Sequence, residues 1–235
     1  MYDRNLSEEL RMMRQSCREF VDAVVLPFIK ENWKQEWSMV PEDRLPPRLL
    51  EEAEKIGIRT LGVPEEYGGV ELEKGTEVRT FAVVSEEIAR GDSGLADKMV
   101  QNWKVSVLLR QFAPKHLQEK WFKRLVAEPQ FLMAHCLTEP RGASDRWLPY
   151  NVPEAAMQTK AVKTTGGWII NGRKQFISNG YDAGLYVVYA NTNNKVGMLQ
   201  PIGKLLSRRA IDCHSANHHR GPDIVPVVFG KRTDE

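Results

Sequence analysis

Between Ser7 and about Phe28 the apolar residues Leu10, Met13, Cys17, Phe20 and Val24 recur three and four positions apart, with charged residues between them. That period places them on one face of an amphipathic helix. Pro27 weakens the helix near its end, because proline has no amide donor and crowds the preceding turn. Pro46-Pro47, the stripe Leu49, Ala53 and Ile56, and Gly57 just beyond predict a short second helix. The glycines and proline of Leu61-Gly62-Val63-Pro64-Glu65-Glu66-Tyr67-Gly68-Gly69 exclude regular helix and predict an ordered loop. A third helix is expected from Thr76, as N-cap, through Phe81, Val84, Ser85 and Ile88 on its buried side, to Gly91. Met99, Trp103 and Val107 predict a fourth, and Pro114 followed by Leu117, Trp121 and Leu125 predicts a fifth. Residues 1–130 form, on this pattern, an all-α domain.

After Pro129 the texture changes. The run from Phe131 to Leu137 is too short for a globular helix, while Trp168-Ile169-Ile170 and Leu185 to Ala190 are rich in β-branched and aromatic residues. Gly166-Gly167 and Asn171-Gly172 have the chemistry of tight hairpin turns. Residues 131–200 therefore predict antiparallel strands, the beginning of a β domain that stops short, and the fold class is α+β. Residues 201–235 show no period and form a divergent tail. Its Cys213, His214, His218 and His219 include a histidine pair four apart, but Gly221, Pro222 and the missing apolar stripe favour a loosely packed segment, and no metal ligand is assigned.

Length and charge narrow the field. A chain of 235 residues suits two modest domains, each able to bury a core. With 33 Lys and Arg against 31 Asp and Glu, a net of +2 and no basic run, electrostatics names no nucleic acid or other polyanion as partner. Cys17, Cys136 and Cys213 are odd in number and far apart, which fits a reducing, cytoplasmic setting better than a disulfide framework. The N-terminus lacks the features of a signal or transit peptide, and no apolar run approaches the ~20 residues that cross a bilayer. A soluble protein without membrane association is expected.

Two segments carry candidate chemistry. Cys136-Leu137-Thr138-Glu139-Pro140-Arg141-Gly142-Ala143-Ser144-Asp145 leaves a strand and enters a loop of small residues, whose hydroxyls and bare amides can approach a planar, hydrogen-bonding ligand. Taken alone, such a loop is most often only a turn. Asn171-Gly172-Arg173-Lys174-Gln175-Phe176-Ile177-Ser178-Asn179-Gly180 then reads as a turn, a strand and a second turn. Together these segments resemble the T-E-P-x-A-G-S-D and K-x-[WF]-I-[ST]-N-G segments of the acyl-CoA dehydrogenase family. Gly62-Val63-Pro64-Glu65-Glu66-Tyr67-Gly68-Gly69 is similar to the family's G-x-P-E-x-Y-G-G, in the same order along the chain.

The resemblance implies a flavoprotein that removes hydrogen across the α and β carbons of an acyl-CoA thioester, with FAD as hydride acceptor and a soluble electron-transfer flavoprotein as electron acceptor. It implies an oxidoreductase acting on CH–CH bonds in fatty acid metabolism, and a homo-oligomer where the complete architecture is present. By the same resemblance, Leu137 and Thr138 contact the pyrimidine side of the flavin; Phe176, Ile177 and Ser178 lie along its ring system, with the Ser178 hydroxyl reaching N5. Ser144 touches substrate and, with Ala143, the phosphate region, and His135 falls at a variable position beside the flavin. A single strand histidine is more often a satisfied structural side chain, and Phe176 or Trp168 can equally be core aromatics. Three departures stand out. Gly142-Ala143 reverses the family's alanine–glycine order, residues 146–153 are long and carry two prolines, and nothing after Gln200 resembles the helical domain that supplies the catalytic glutamate in complete members. Alternatives in view are a flavin monooxygenase or acyl-CoA oxidase of the same fold, and a non-catalytic fragment that acts only by binding.

Overall fold

The computed structural model describes residues 6–34, 47–141, 157–165 and 167–192. The chain divides into two compact units, Met1–Phe131 and Leu132–Glu235.

The first unit is helical. Helix α1 (Glu8–Phe20) opens at Ser7, whose Oγ accepts the Leu10 amide at 3.3 Å, with Glu8 and Glu9 in the first turn, where the helix dipole favours negative charge. It buries Leu10, Cys17 and Phe20. The expected weakening at Pro27 does not occur. Val21–Val25 form a π-helical stretch that runs directly into α2 (Leu26–Asn32), and the Leu26 amide bonds back to Val21 O. This wider turn precedes Pro27, which then occupies the first turn of α2, where an absent amide donor matters least.

Helix α3 (Pro47–Lys55) buries Leu49, Leu50 and Ala53, whereas Ile56, expected on the same stripe, is exposed. After Gly57, two single 3₁₀ turns, Ile58–Thr60 and Glu65–Tyr67, and a bridge between Leu61 and Val70 order the glycine-rich loop. Helix α4 (Glu77–Gly91) is not capped by Thr76, whose backbone is itself helical and whose hydroxyl donates to Glu73 O at 2.7 Å. The Glu77 carboxylate instead accepts the Gly75 amide at 2.7 Å. Val83, Val84 and Ile88 are buried as the period requires, but Phe81 and Ser85 are only half-buried. Asp92 breaks the chain and caps α5 (Ser93–Phe112) by accepting the Leu95 amide at 2.6 Å. Gly91 at this corner packs so closely that a Cβ there would stand 2.7 Å from Val21 Cγ1. Helix α6 (Lys115–Ala127) follows Pro114.

Trp103 of α5 is fully buried, donates to Ile58 O at 2.7 Å and stacks on Phe81 at 5.1 Å between centroids. Arg59 is also fully buried. Its Nε donates to Glu54 at 2.7 Å, Nη1 to Phe131 O at 3.3 Å, and Nη2 to Leu125 O. One cation thus holds the end of α6 to the turn after α3, and every donor that finds an acceptor removes a desolvation penalty.

The second unit contains β1 (Met133–Cys136), β2 (Lys160–Thr164), β3 (Gly167–Asn171) and β4 (Leu185–Val188). Strands β2 and β3 form the expected antiparallel hairpin, in register from Lys160↔Asn171 to Thr164↔Gly167. Strands β1 and β4 pair in parallel, Met133↔Leu185 through Cys136↔Val188. The expectation of antiparallel strands therefore fails for this pair, because the chain makes a long excursion through the hairpin and returns in the original direction. A bridge between Lys160 and Asn191 connects the hairpin to the residues that follow β4. Asn171-Gly172 makes no hairpin turn: Asn171 ends β3, and a Cβ on Gly172 would lie 2.5 Å from Thr159 Cα, so glycine is required for close approach. Beyond Asn171, residues 172–177 contain no strand, contrary to expectation. Ala134, Cys136, Ala183, Tyr186 and Val188 form the small core, with Ile170 and Ile177 packed against it. Among the described residues no helix is long and apolar enough to cross a membrane.

Candidate functional site

The two segments singled out in the sequence lie side by side. After β1 the chain continues through Leu137-Thr138-Glu139, and after β3 through Lys174-Gln175-Phe176. The Gln175 amide donates to Thr138 O at 3.0 Å, and Gln175 Nε2 to Glu139 O at 3.3 Å. Lys174 Nζ donates to Leu137 O at 3.2 Å and to Glu139 Oε1 at 2.9 Å. Main chain and side chain both join them, although more than thirty residues separate them in sequence.

Glu139 is buried and accepts two further bonds, from the Gln158 amide at 2.7 Å and the Thr159 amide at 2.8 Å. Burial alone would raise its pKa, but hydrogen bonding from Thr159, the Lys174 charge and the Gln158 amide outweigh it and hold the carboxyl below its usual range. Glu139 is thus an ionised structural acceptor, poorly suited to take a proton. Sequence reasoning gave no role to Glu139, Lys174 or Gln175. The signal was present, since all three belong to the two motifs, but nothing in a motif shows that its charged members are buried against each other.

Phe176 follows Gln175 immediately. Its φ is +54°, in the left-handed region that bulky residues avoid, and it is 87% exposed. Ile177 turns inward onto the core, and the half-buried Ser178 opens a turn. Asn179, at φ +61°, anchors that turn by donating from Nδ2 to Met133 O at 2.9 Å, and the Gly180 amide closes it onto Ile177 O at 2.8 Å. Phe176 is therefore held from both sides, by Gln175 on the first segment and by Asn179 on β1.

His135 is half-buried on β1, with Nε2 2.8 Å from the Tyr189 hydroxyl and the two rings edge to face at 4.9 Å. Burial pushes the Tyr189 phenol up to about 12, so it stays protonated. The Leu137 amide turns back to His135 O at 3.2 Å, leaving its carbonyl to Lys174. Thr138 joins the second segment through its carbonyl. The structure thus brings Leu137, Thr138, Phe176, Ile177 and Ser178 into one neighbourhood next to β1. Ala143 and Ser144 lie outside the described residues, as do Cys213, His214, His218 and His219 of the tail. The geometry offers an aromatic face and polar main chain at one edge, suited to a flat ligand with hydrogen-bonding groups.

Residues 7–129, just over half of the 235, match the family model described as acyl-CoA dehydrogenase, N-terminal domain. The chain belongs to the acyl-CoA dehydrogenase family. A glutaryl-CoA dehydrogenase from Desulfococcus multivorans is 30% identical over 198 residues, which cover 83% of this chain and 46% of the relative. A chain in the structure of the electron transferring flavoprotein of Acidaminococcus fermentans superposes with a TM-score of 0.66 at 26% identity, over 82% of this chain and 46% of that one. An acyl-CoA dehydrogenase from Bacillus anthracis, solved in complex with FAD, gives 0.65 at 27% identity, over 83% and 31%. The chain thus spans about half the length or less of these acyl-CoA dehydrogenase relatives. The match to the glutaryl-CoA dehydrogenase covers 83% of the 235 residues and so reaches beyond the helical unit.

Proposed function

We propose that this chain is a flavoprotein of acyl-CoA dehydrogenase type that holds FAD against Leu137, Thr138, Phe176, Ile177 and Ser178 and acts on an acyl-CoA thioester. Phe176 carries the reading. A bulky residue in the left-handed region is strained, and its ring, 87% exposed, recovers nothing from the core of this chain. A flat ligand stacked on that ring gives the strain a purpose. Glu139 and Lys174 fit the same picture, since they fix the segment that precedes the ring.

FAD, when bound, supplies the acceptor for the two electrons that leave the α–β bond of the thioester. The work of the chain's own residues is to hold it: Phe176 packs on its plane, Ser178 brings a hydroxyl to the same edge, and the two joined segments exclude water from that face. His135, paired with Tyr189, supports β1 beneath them. Ala143 and Ser144 complete the phosphate and substrate contacts on the same proposal. A homo-oligomeric cytoplasmic enzyme that passes electrons to a soluble electron-transfer flavoprotein completes it, and the likeness to a chain of the Acidaminococcus structure supports the choice of acceptor. Titrating the purified chain with FAD tests the reading. Saturable quenching of flavin fluorescence, weakened by Phe176→Ala, is expected; no binding by the folded chain overturns it.

A further inference from the structure

We propose that Lys174 and Glu139 are positioning residues that clamp the two cofactor-facing segments into one surface, an inference that rests on the flavin reading above. Lys174 Nζ spans the first segment, reaching Leu137 O at 3.2 Å and Glu139 Oε1 at 2.9 Å. Gln175 adds its amide to Thr138 O at 3.0 Å and its Nε2 to Glu139 O at 3.3 Å. Every residue of Leu137-Thr138-Glu139 is thereby bonded to the dipeptide that precedes Phe176. Glu139 extends the clamp to the entry of β2 through the amides of Gln158 and Thr159, at 2.7 and 2.8 Å.

The pair is buried, with side-chain exposures of 11% for Lys174 and 5% for Glu139. Burying two charges carries a desolvation penalty that their attraction roughly offsets, so apolar residues of similar volume would serve stability as well. What apolar residues cannot supply is direction. The Lys174 ammonium has three donors at tetrahedral angles, and two of them set the distance between the segments that carry Thr138 and Phe176. The need for such a device follows from Phe176, which has no packing of its own to fix its ring. Its orientation is inherited from Gln175 on one side and from Asn179, bonded to Met133 O, on the other. Removing the ammonium would free the Gln175 side of that support while leaving β1, β4 and their core intact.

The test uses the full 235-residue chain with FAD as probe, in the variants Lys174→Met, Lys174→Arg and Glu139→Gln. Flavin affinity, the reduction potential of bound flavin, and amide exchange at Gln158, Thr159 and Gln175 in the flavin-free chain are measured. Lys174→Met is expected to raise the FAD dissociation constant about tenfold or more, shift the potential, and speed exchange at Gln175 while the β4 amides stay protected. Lys174→Arg, which keeps the charge and donors, should recover most of the affinity. A Lys174→Met chain that is less stable yet binds FAD with unchanged affinity and potential overturns the proposal and leaves the pair a stabilising contact only. If the wild-type chain binds no FAD, the flavin reading fails, and exchange at Gln175 alone decides whether the pair clamps the segments. If Lys174→Met does not fold, Glu139→Gln, which keeps an acceptor oxygen in the same shape, decides by the same measurements.

Discussion

Replacing Phe176 with glycine separates what the residue does for the fold from what it does for a ligand. At φ +54° a non-glycine residue carries a strain of about 1–2 kcal/mol, which glycine does not. Glycine loses more backbone freedom on folding, roughly 0.5–1 kcal/mol. With the residue 87% exposed, almost no packing is forfeited, so the flavin-free variant should be at least as stable as wild type, by up to about 1.5 kcal/mol. The same change removes the aromatic face. Stacking on a planar base is worth about 1–3 kcal/mol, so FAD affinity should fall by roughly fivefold to a hundredfold. Urea unfolding of the flavin-free chain, read by tryptophan fluorescence, gives the first quantity, and flavin titration gives the second. A variant destabilised by about 1 kcal/mol or more would show that Phe176 serves the chain's own core, and the strain argument would fall.

Arg59→Met should destabilise the helical unit by about 3–5 kcal/mol, because it leaves Leu125 O, Phe131 O and the Glu54 carboxylate without their buried donor; urea unfolding measures it, and a loss below about 1 kcal/mol refutes the anchoring role. Glu139 has a folded pKa below its ordinary value, so its contribution is present above the usual carboxylate range and lost as pH falls through the depressed folded value; Glu139→Gln should flatten the acid limb of a stability–pH curve, and an unchanged limb would refute this. The 235-residue chain by itself should not reduce its flavin with an acyl-CoA, since Glu139, the carboxylate at the site among the described residues, has its proton affinity lowered by three donors and is a poor base. Anaerobic bleaching of the flavin with formation of an enoyl-CoA would show otherwise.

The helices were legible because a 3.6-residue period survives in any sequence that must bury one face, as in Leu10, Cys17 and Phe20 or Met99 and Trp103. Their joints were less so. The π stretch at Val21–Val25 leaves apolar residues where an α-helix would also want them, so only backbone bonding reveals it. The β2–β3 hairpin was announced by Gly166-Gly167, but four-residue apolar runs such as β1 and β4 carry no sign of direction, and their parallel pairing is a tertiary property. At the candidate site the motifs singled out Thr138, Phe176, Ile177 and Ser178 as candidates. The strained backbone at Phe176 was hidden because phenylalanine has no left-handed preference to read, whereas Asn179-Gly180 carried a turn signal that the structure realises. Glu139 and Lys174 went unassigned because a charged residue in a loop is ordinarily solvated, and only the partner's position shows that this one is not.

Parallel pairing between β1 and β4 imposes an order on biosynthesis. The helical unit combines neighbours in sequence, α4 on α5 and α5 on α6, with the longer-range packing of α1 on α4, and every one of these partners has been synthesised before β1. Met133–Cys136 has no such option. Its partner, Leu185–Val188, is translated only after the whole β2–β3 hairpin, and until then the nascent strand exposes an unpaired edge. The Leu137-Thr138-Glu139 segment, anchored to that strand, gains its geometry only when Lys174 and Gln175 have been synthesised. A nonsense mutation between the codons for Thr164 and Leu185 would therefore spare the helical unit yet leave β1 as a sticky strand, a product destined for proteolysis or aggregation.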